Sequence, residues 1–314
     1  MDRTTRGARR RGPSGAALAT ALLAAVTTAG CGGSTPPDPT SPAAAVETAA
    51  GNAREITSLR YRVGATLPEW GRVTAEASMT TEPVAMSMRL SPLAQGRGAP
   101  LELRFVDDVM YVAGGALDPS VLGGRTWAAA DPARWGGSTA DNTSYGMLPR
   151  QIEASPLVQS TFLTGSEDVR RLGTETVEGT RTTHYRGTVT MAGLIAARDA
   201  APTGAIGERR IDSLDAFVGL SLDGPLTMDL WTDADDRPRR FRLRGATRTT
   251  RGGTPDQPLE LVPGDPLDLT ITFLTLDHPT TIDPPPPQDT ADIPAPTAGT
   301  PAARDRPSPA AHRR

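Results

Sequence analysis

The side chains able to do chemistry are few and far apart. Lysine is absent from the 314 residues, which removes Schiff-base and Ser-Lys catalysis. The three histidines, His184, His278 and His312, lie far apart in the chain. His184 falls opposite Tyr185 in a strand pattern, which predicts a solvated or strand-hydrogen-bonded ring. Thr164-Gly165-Ser166-Glu167 approaches a nucleophile elbow, but it lacks the second glycine and follows a helical stretch rather than a strand. Asp233, Asp235 and Asp236 begin like a calcium loop. Arg237-Pro238 stands where that loop needs glycine, and no glutamate closes it, so a plain turn is predicted. No cluster has metal-ligand spacing. The expectation is a protein that is not an enzyme, with no catalytic residue, metal or cofactor.

One residue does carry a chemical prediction. The only cysteine, Cys31, sits where an export-signal pattern ends. Arg3, Arg6 and Arg9 to Arg11 give a charged start, and Ala16 to Val26 is an apolar run too short to span a bilayer. The run ends at Thr28-Ala29-Gly30-Cys31, which resembles the bacterial lipobox, although Thr28 stands where leucine is usual. That resemblance implies a diacylated (palmitate-bearing) Cys31 as the mature N-terminus and lipid anchoring on the extracytoplasmic face of the cell membrane. The bland alternatives are an ordinary secretory signal and a buried free thiol. Residues 1–31 are therefore read as signal peptide, and 32–42 (GGSTPPDPTSP) as a flexible tether. The Pro/Ala-rich stretch 284–314 reads as a disordered tail.

Residues 43–283 carry the folded domain. The formal net charge of −3 and the 4% aromatic content favour neither nucleic acid nor a strongly acidic partner. Ser41 or Thr40 can cap a helix with Val46, Ala49, Ala50, Ala53 and Ile56 on one stripe. Period 2 then persists over five segments: Leu59 to Ala65, Val73 to Met79, Val84 to Leu90, Leu101 to Phe105, and Val109 to Val112 after an Asp107-Asp108 turn. Short helices are predicted over 149–163, split or kinked at Pro156, over 191–200, and around Ile211 to Val218. Glu178-Gly179 turns one hairpin, and Leu226 to Leu230, Phe241 to Leu243 and Leu267 to Phe273 supply further strands. The class is α+β, an antiparallel meander with one apolar face.

Several segments resemble the LolA-like, LppX/LprG-type family of actinobacterial lipoproteins. Its best pieces are Val169 to Tyr185 (VRRLGTETVEGTRTTHY), Leu230 to Leu243 (LWTDADDRPRRFRL) and the anchored start. Weaker echoes are Met110-Tyr111-Val112 with Gly124-Arg125-Thr126-Trp127, and the His278 to Pro285 stretch. The resemblance implies a strongly curved antiparallel sheet, a half-open barrel closed by a few helices, with acyl chains held in the hollow of several relatives.

The apolar face supplies candidate lining for such a cavity: Met79, Val84, Met86, Met88, Leu101, Leu103, Phe105, Met228, Leu230 and Phe273. Methionine repacks around irregular ligands, which suits a lipid or acylated molecule. The same residues can equally fill a closed core, as in a structural or regulatory envelope protein, and periodicity does not separate the two. Arg240, Arg242 and Arg244 alternate with Phe241 and Leu243, giving a cationic outer face that is either solvated or docked on anionic head groups. The membrane, through acylated Cys31, and a possible lipid ligand are the predicted partners. Nothing in the sequence designates a protein partner.

Overall fold

Ser41 begins the first element. Its Oγ accepts a hydrogen bond from the Ala44 amide at 3.1 Å and Pro42 fills the first turn, so α1 (Pro42–Glu55) starts where capping chemistry places it. Val46, Ala49, Ala50 and Ala53 make its buried stripe. The structure, a computed structural model, describes residues 41–68, 70–92, 100–114, 117, 119–130, 148–252 and 258–292. Cys31, the signal segment, nearly all of the tether and the stretch beyond Asp292 lie outside the described residues.

Alternating patterns then become β1 (Ser58–Leu67), β2 (Gly71–Thr81), β3 (Val84–Pro92), β4 (Leu101–Val106) and β5 (Val109–Gly114), followed by the short α2 (Pro119–Leu122) and β6 (Trp127–Ala130). Asp107 and Asp108 both have left-handed backbones (φ 52° and 60°), the geometry that a two-residue hairpin requires. The predicted helix over 149–163 is divided as Pro156 dictates, into α3 (Arg150–Glu153) and α4 (Pro156–Gln159). Buried Gln159 bridges the break: its Nε2 donates to the carbonyls of Gln151 (2.8 Å) and Ala154 (3.0 Å).

Next come β7 (Arg170–Val177) and β8 (Thr180–Val189), joined through Glu178 and Gly179 at φ 46° and 79°. Two helices follow, α5 (Met191–Asp199) and α6 (Ala205–Val218), then β9 (Leu226–Thr232), β10 (Pro238–Arg251) and β11 (Glu260–Leu276). A 3-10 turn (Pro287–Asp289) leads to β12 (Thr290–Asp292).

All the strands among the described residues belong to one open, twelve-stranded sheet in the order β12-β6-β5-β4-β3-β2-β1-β11-β10-β9-β8-β7. It is two meanders joined where β1 meets β11, with Tyr61 opposite Phe273 and Val63 opposite Ile271. Every pairing is antiparallel except that of β12 with β6. Register shifts at Arg60/Tyr61, Pro238/Arg240, Ala246/Arg248 and Arg171/Gly173 are places where extra residues bend the strands. The apolar face of the sheet and the helices share one core that includes Val46, Phe162, Leu163, Leu194, Leu214 and Phe217. The α+β class and the single, mostly antiparallel sheet with few helices are as predicted.

The chain's end departs from expectation. The sequence from Pro284 reads as disordered tail, yet residues 284–292 are structured. Arg104 Nη1 donates to the Asp283 carbonyl (2.9 Å) and Arg125 Nη1 to that of Thr290 (2.7 Å), while Ala291 is buried against Leu122 and Ala128. A proline run lacks amide donors, so composition marks it as unable to enter a sheet. Here it serves instead as an extended strap that delivers β12 to the edge of β6.

Candidate functional site

The predicted lining residues do share one face. Antiparallel register sets Met79 opposite Met86, Met86 opposite Phe105, and Phe105 opposite Met110. One step along, Ala77, Met88, Leu103 and Val112 make the neighbouring row. On the far side of β1 and β11, Met228 faces Leu243 and Leu230 faces Phe241, whose ring lies 6.2 Å from that of Phe273.

Burial divides the set. Leu103, Met228 and Phe273 have 0% exposure, and Met88, Leu101 and Leu230 are also buried. Met79, Met86 and Phe105 are only partly covered, although they pack on the same core; Val84 is partly buried beside them. These four lie near the end of β2 to β4 marked by the Asp107-Asp108 turn. The apolar surface therefore runs from a filled centre to a partly open margin. Tyr61 stands between the two regions, its hydroxyl donating to Met86 Sδ at 3.8 Å, and burial pushes the phenol well above its ordinary pKa.

The outer face carries ions instead. His184 is buried, not solvated, and both ring nitrogens are engaged: Nδ1 with Glu175 Oε1 at 2.8 Å and Nε2 with Asp229 Oδ1 at 2.7 Å. Each ring nitrogen thus faces one carboxylate oxygen. Asp229, 1% exposed, also accepts from Arg186 Nε (2.6 Å) and Arg244 Nη2 (2.8 Å). Burial pushes its carboxyl up, but the bonds from Arg186, His184 and Arg244 outweigh that and hold it below the usual carboxylate range.

The arginine row of β10 is neutralised in the same manner. Arg242 is bidentate on Asp268, Arg240 Nε donates to Thr272 Oγ1 at 3.0 Å, and Arg248 pairs with Asp223. These partners suit a solvated sheet face better than a free cationic patch. Sequence reasoning missed this network. The signal available was Asp229 itself, a lone carboxylate between Met228 and Leu230 in an apolar strand.

Two other sequence candidates are local devices. Ser166 Oγ donates to Asp168 Oδ1 and accepts from the Thr188 amide, which ties the α4–β7 connection to β8. Asp233 Oδ1 accepts from the amides of Asp235 (3.1 Å) and Arg237 (2.9 Å), making the predicted turn between β9 and β10. No described helix is long and apolar enough to cross a membrane.

No protein-family model matches the chain. A stretch of 161 residues is 30% identical to an uncharacterized 31.2 kDa protein in the rplA–rplJ intergenic region of Streptomyces griseus. That match covers 49% of this chain and about half (48%) of the relative. Among solved structures, the chain is similar to the Mycobacterium tuberculosis lipoprotein LppX, with TM-score 0.45 and 14% identity over 77% of this chain and 98% of that one. It is similar also to LprF from Mycobacterium bovis, with TM-score 0.45 and 13% identity over 78% of this chain and 96% of that one.

Proposed function

We propose that this protein is a lipid-anchored envelope lipoprotein, tethered through acylated Cys31, that holds or hands on a lipid or an acylated molecule and catalyses no reaction. The observation that carries the reading is the partly uncovered margin of Met79, Val84, Met86 and Phe105, continuous with the core. Apolar side chains left open at one end of a sheet face give an acyl chain a dry surface, worth about 0.8 kcal/mol for each methylene buried. Methionine there adapts to irregular ligands without a fixed pocket shape. The family resemblance of Val169 to Tyr185 and Leu230 to Leu243 points the same way.

The full burial of Leu103, Met228 and Phe273 favours a second reading. In it the core is closed, and the domain is a structural or regulatory envelope protein that works through a protein contact. The two part on one measurement: mass spectrometry of organic extracts from purified, non-acylated Cys31→Ala protein. A stoichiometric acyl-bearing species is the expected result. Extracts identical to a blank purification would leave the closed-core reading standing.

A further inference from the structure

The outer face of the first meander bears a depression of about 260 Å³ whose walls include Arg60, Arg104, Arg89, Glu102 and Trp127. Its floor is set by register. Arg60 lies opposite Ser78, Ser78 opposite Ser87, and Ser87 opposite Arg104, a straight row across β1, β2, β3 and β4. Adjacent strands are ~4.8 Å apart, so the two arginine backbones stand about 14 Å from each other with two short side chains between them. Arginine side chains are long enough to lean over the serine pair from both sides.

The charges in this hollow do not cancel. Glu76 is taken by Arg62 at 3.4 Å and Glu102 by Arg89, both in the next row. Arg60 has no ion-pair or hydrogen-bond partner among the described residues, and neither serine hydroxyl bonds a protein group there. Arg104 is held in place, its guanidinium 4.9 Å from the centre of the Trp127 ring and its Nη1 on the Asp283 carbonyl, yet no carboxylate pairs with it among the described residues. Two arginines without a carboxylate partner and two serines without a protein partner, among the described residues, thus line one space.

We infer that the Arg60–Ser78–Ser87–Arg104 row binds a phosphate group carried by a small polyol. Two arginines flanking two hydroxyl donors in one row offer more hydrogen bonds than the two oxygens of a carboxylate absorb. A phosphate monoester presents three free oxygens and matches them. The hollow exceeds the size of a bare phosphate, and the rim carboxylate of Glu102 can accept from polyol hydroxyls. A soluble sugar or glycerol phosphate and the head group of a phosphoglycerol lipid share this chemistry. The site lies on the face opposite the apolar margin and does not depend on a lipid binding there.

The test uses the Cys31→Ala protein, titrated calorimetrically with glycerol 3-phosphate, inorganic phosphate and glycerol, and by flotation with phosphatidylglycerol vesicles. Saturable one-to-one binding of glycerol 3-phosphate, weakened at least tenfold by Arg60→Gln and by the floor-filling Ser87→Val, is expected. Vesicle binding that shows the same dependence on Arg60, without binding of the soluble ester, would assign the phosphate to a lipid head group. Binding of inorganic phosphate as tight as that of the ester would overturn the polyol part. Absence of binding to every phosphate probe, or an Arg60→Gln variant that binds undiminished, would overturn the site; circular dichroism of each variant guards against misfolding.

Discussion

His184 and Trp231 lie face to face across β8 and β9, ring centroids 4.2 Å apart and planes inclined by 18°. Arg240, on the next strand, stands 5.8 Å from the same indole. Both stacked rings are buried, so the contact removes two flat faces from water. Glu175 and Asp229 hold the histidine from either side. The arrangement staples the edge hairpin of β7 and β8 to the central strands from the outer face, while Tyr185 and Val189 hold it from the core.

Asp229 is the centre of that staple, so its charge is the one to remove. Asp229→Asn leaves Arg186, Arg244 and His184 short of an anionic acceptor in a buried place, with an expected cost of ~3 kcal/mol at neutral pH. The pH dependence has a definite sign. A carboxyl held below its ordinary value stabilises the fold above the unfolded pKa, about 3.9, and loses that contribution as pH falls through the lower folded value. Urea unfolding at pH 7 and pH 3 should show the wild type losing stability on acidification and the variant losing less. Equal acid sensitivity in both proteins would remove Asp229 from the account.

The same cluster shows which features a sequence displays and which it hides. The turns at Asp107-Asp108 and Glu178-Gly179 were legible because two adjacent residues determine them. Pro156 likewise announced the split between α3 and α4. His184 and Asp229 are 45 positions apart and meet only through the register of β8 with β9, which periodicity leaves open. The arginines of β10 show in the sequence only as a cationic outer face for the same reason: Asp268 comes from β11 and Glu178 from the turn between β7 and β8. The apolar face was read correctly as a face. Its division into a filled centre and an open margin depends on where the helices lie, and the alternation of strands carries no information on that.

The strap at the chain's end gives a second test. Ending the protein at Asp283 removes β12, the burial of Ala291 and the carbonyl that Arg125 engages, and should cost about 1–2 kcal/mol. Ending it at Asp292 should be neutral within ~0.5 kcal/mol, since the strap and β12 are kept. Thermal melts of the two truncations against full length decide it. Identical melting temperatures for all three would mean that β12 contributes nothing to stability.

The proposed anchoring rests on the single thiol of Cys31. Cys31→Ala should shift the protein from the membrane fraction to the soluble extracytoplasmic fraction, because acylation supplies the only strong membrane contact this reading contains. Fractionation followed by immunoblotting measures it, and the domain's circular dichroism should not change. Persistent membrane association of the variant would require another attachment.

The division within the apolar face yields the sharpest functional prediction. Phe105 sits at the partly open margin and Met88, one row inward, is 2% exposed. A guanidinium placed at Phe105 can reach water along its flexible stem, so Phe105→Arg should fold, with a loss of no more than about 1–3 kcal/mol, and should carry no acyl ligand. At Met88 the same group has no route to water. Met88→Arg should therefore lose ~4 kcal/mol or more and unfold, whether or not a ligand binds nearby. Circular dichroism and lipid extraction on both variants separate the outcomes. Folded Phe105→Arg protein that still retains the wild-type acyl species would move the binding place away from the margin. A folded Met88→Arg protein would show that the centre of the face opens to water after all, and that the hollow extends deeper than the burial of Leu103 and Phe273 indicates.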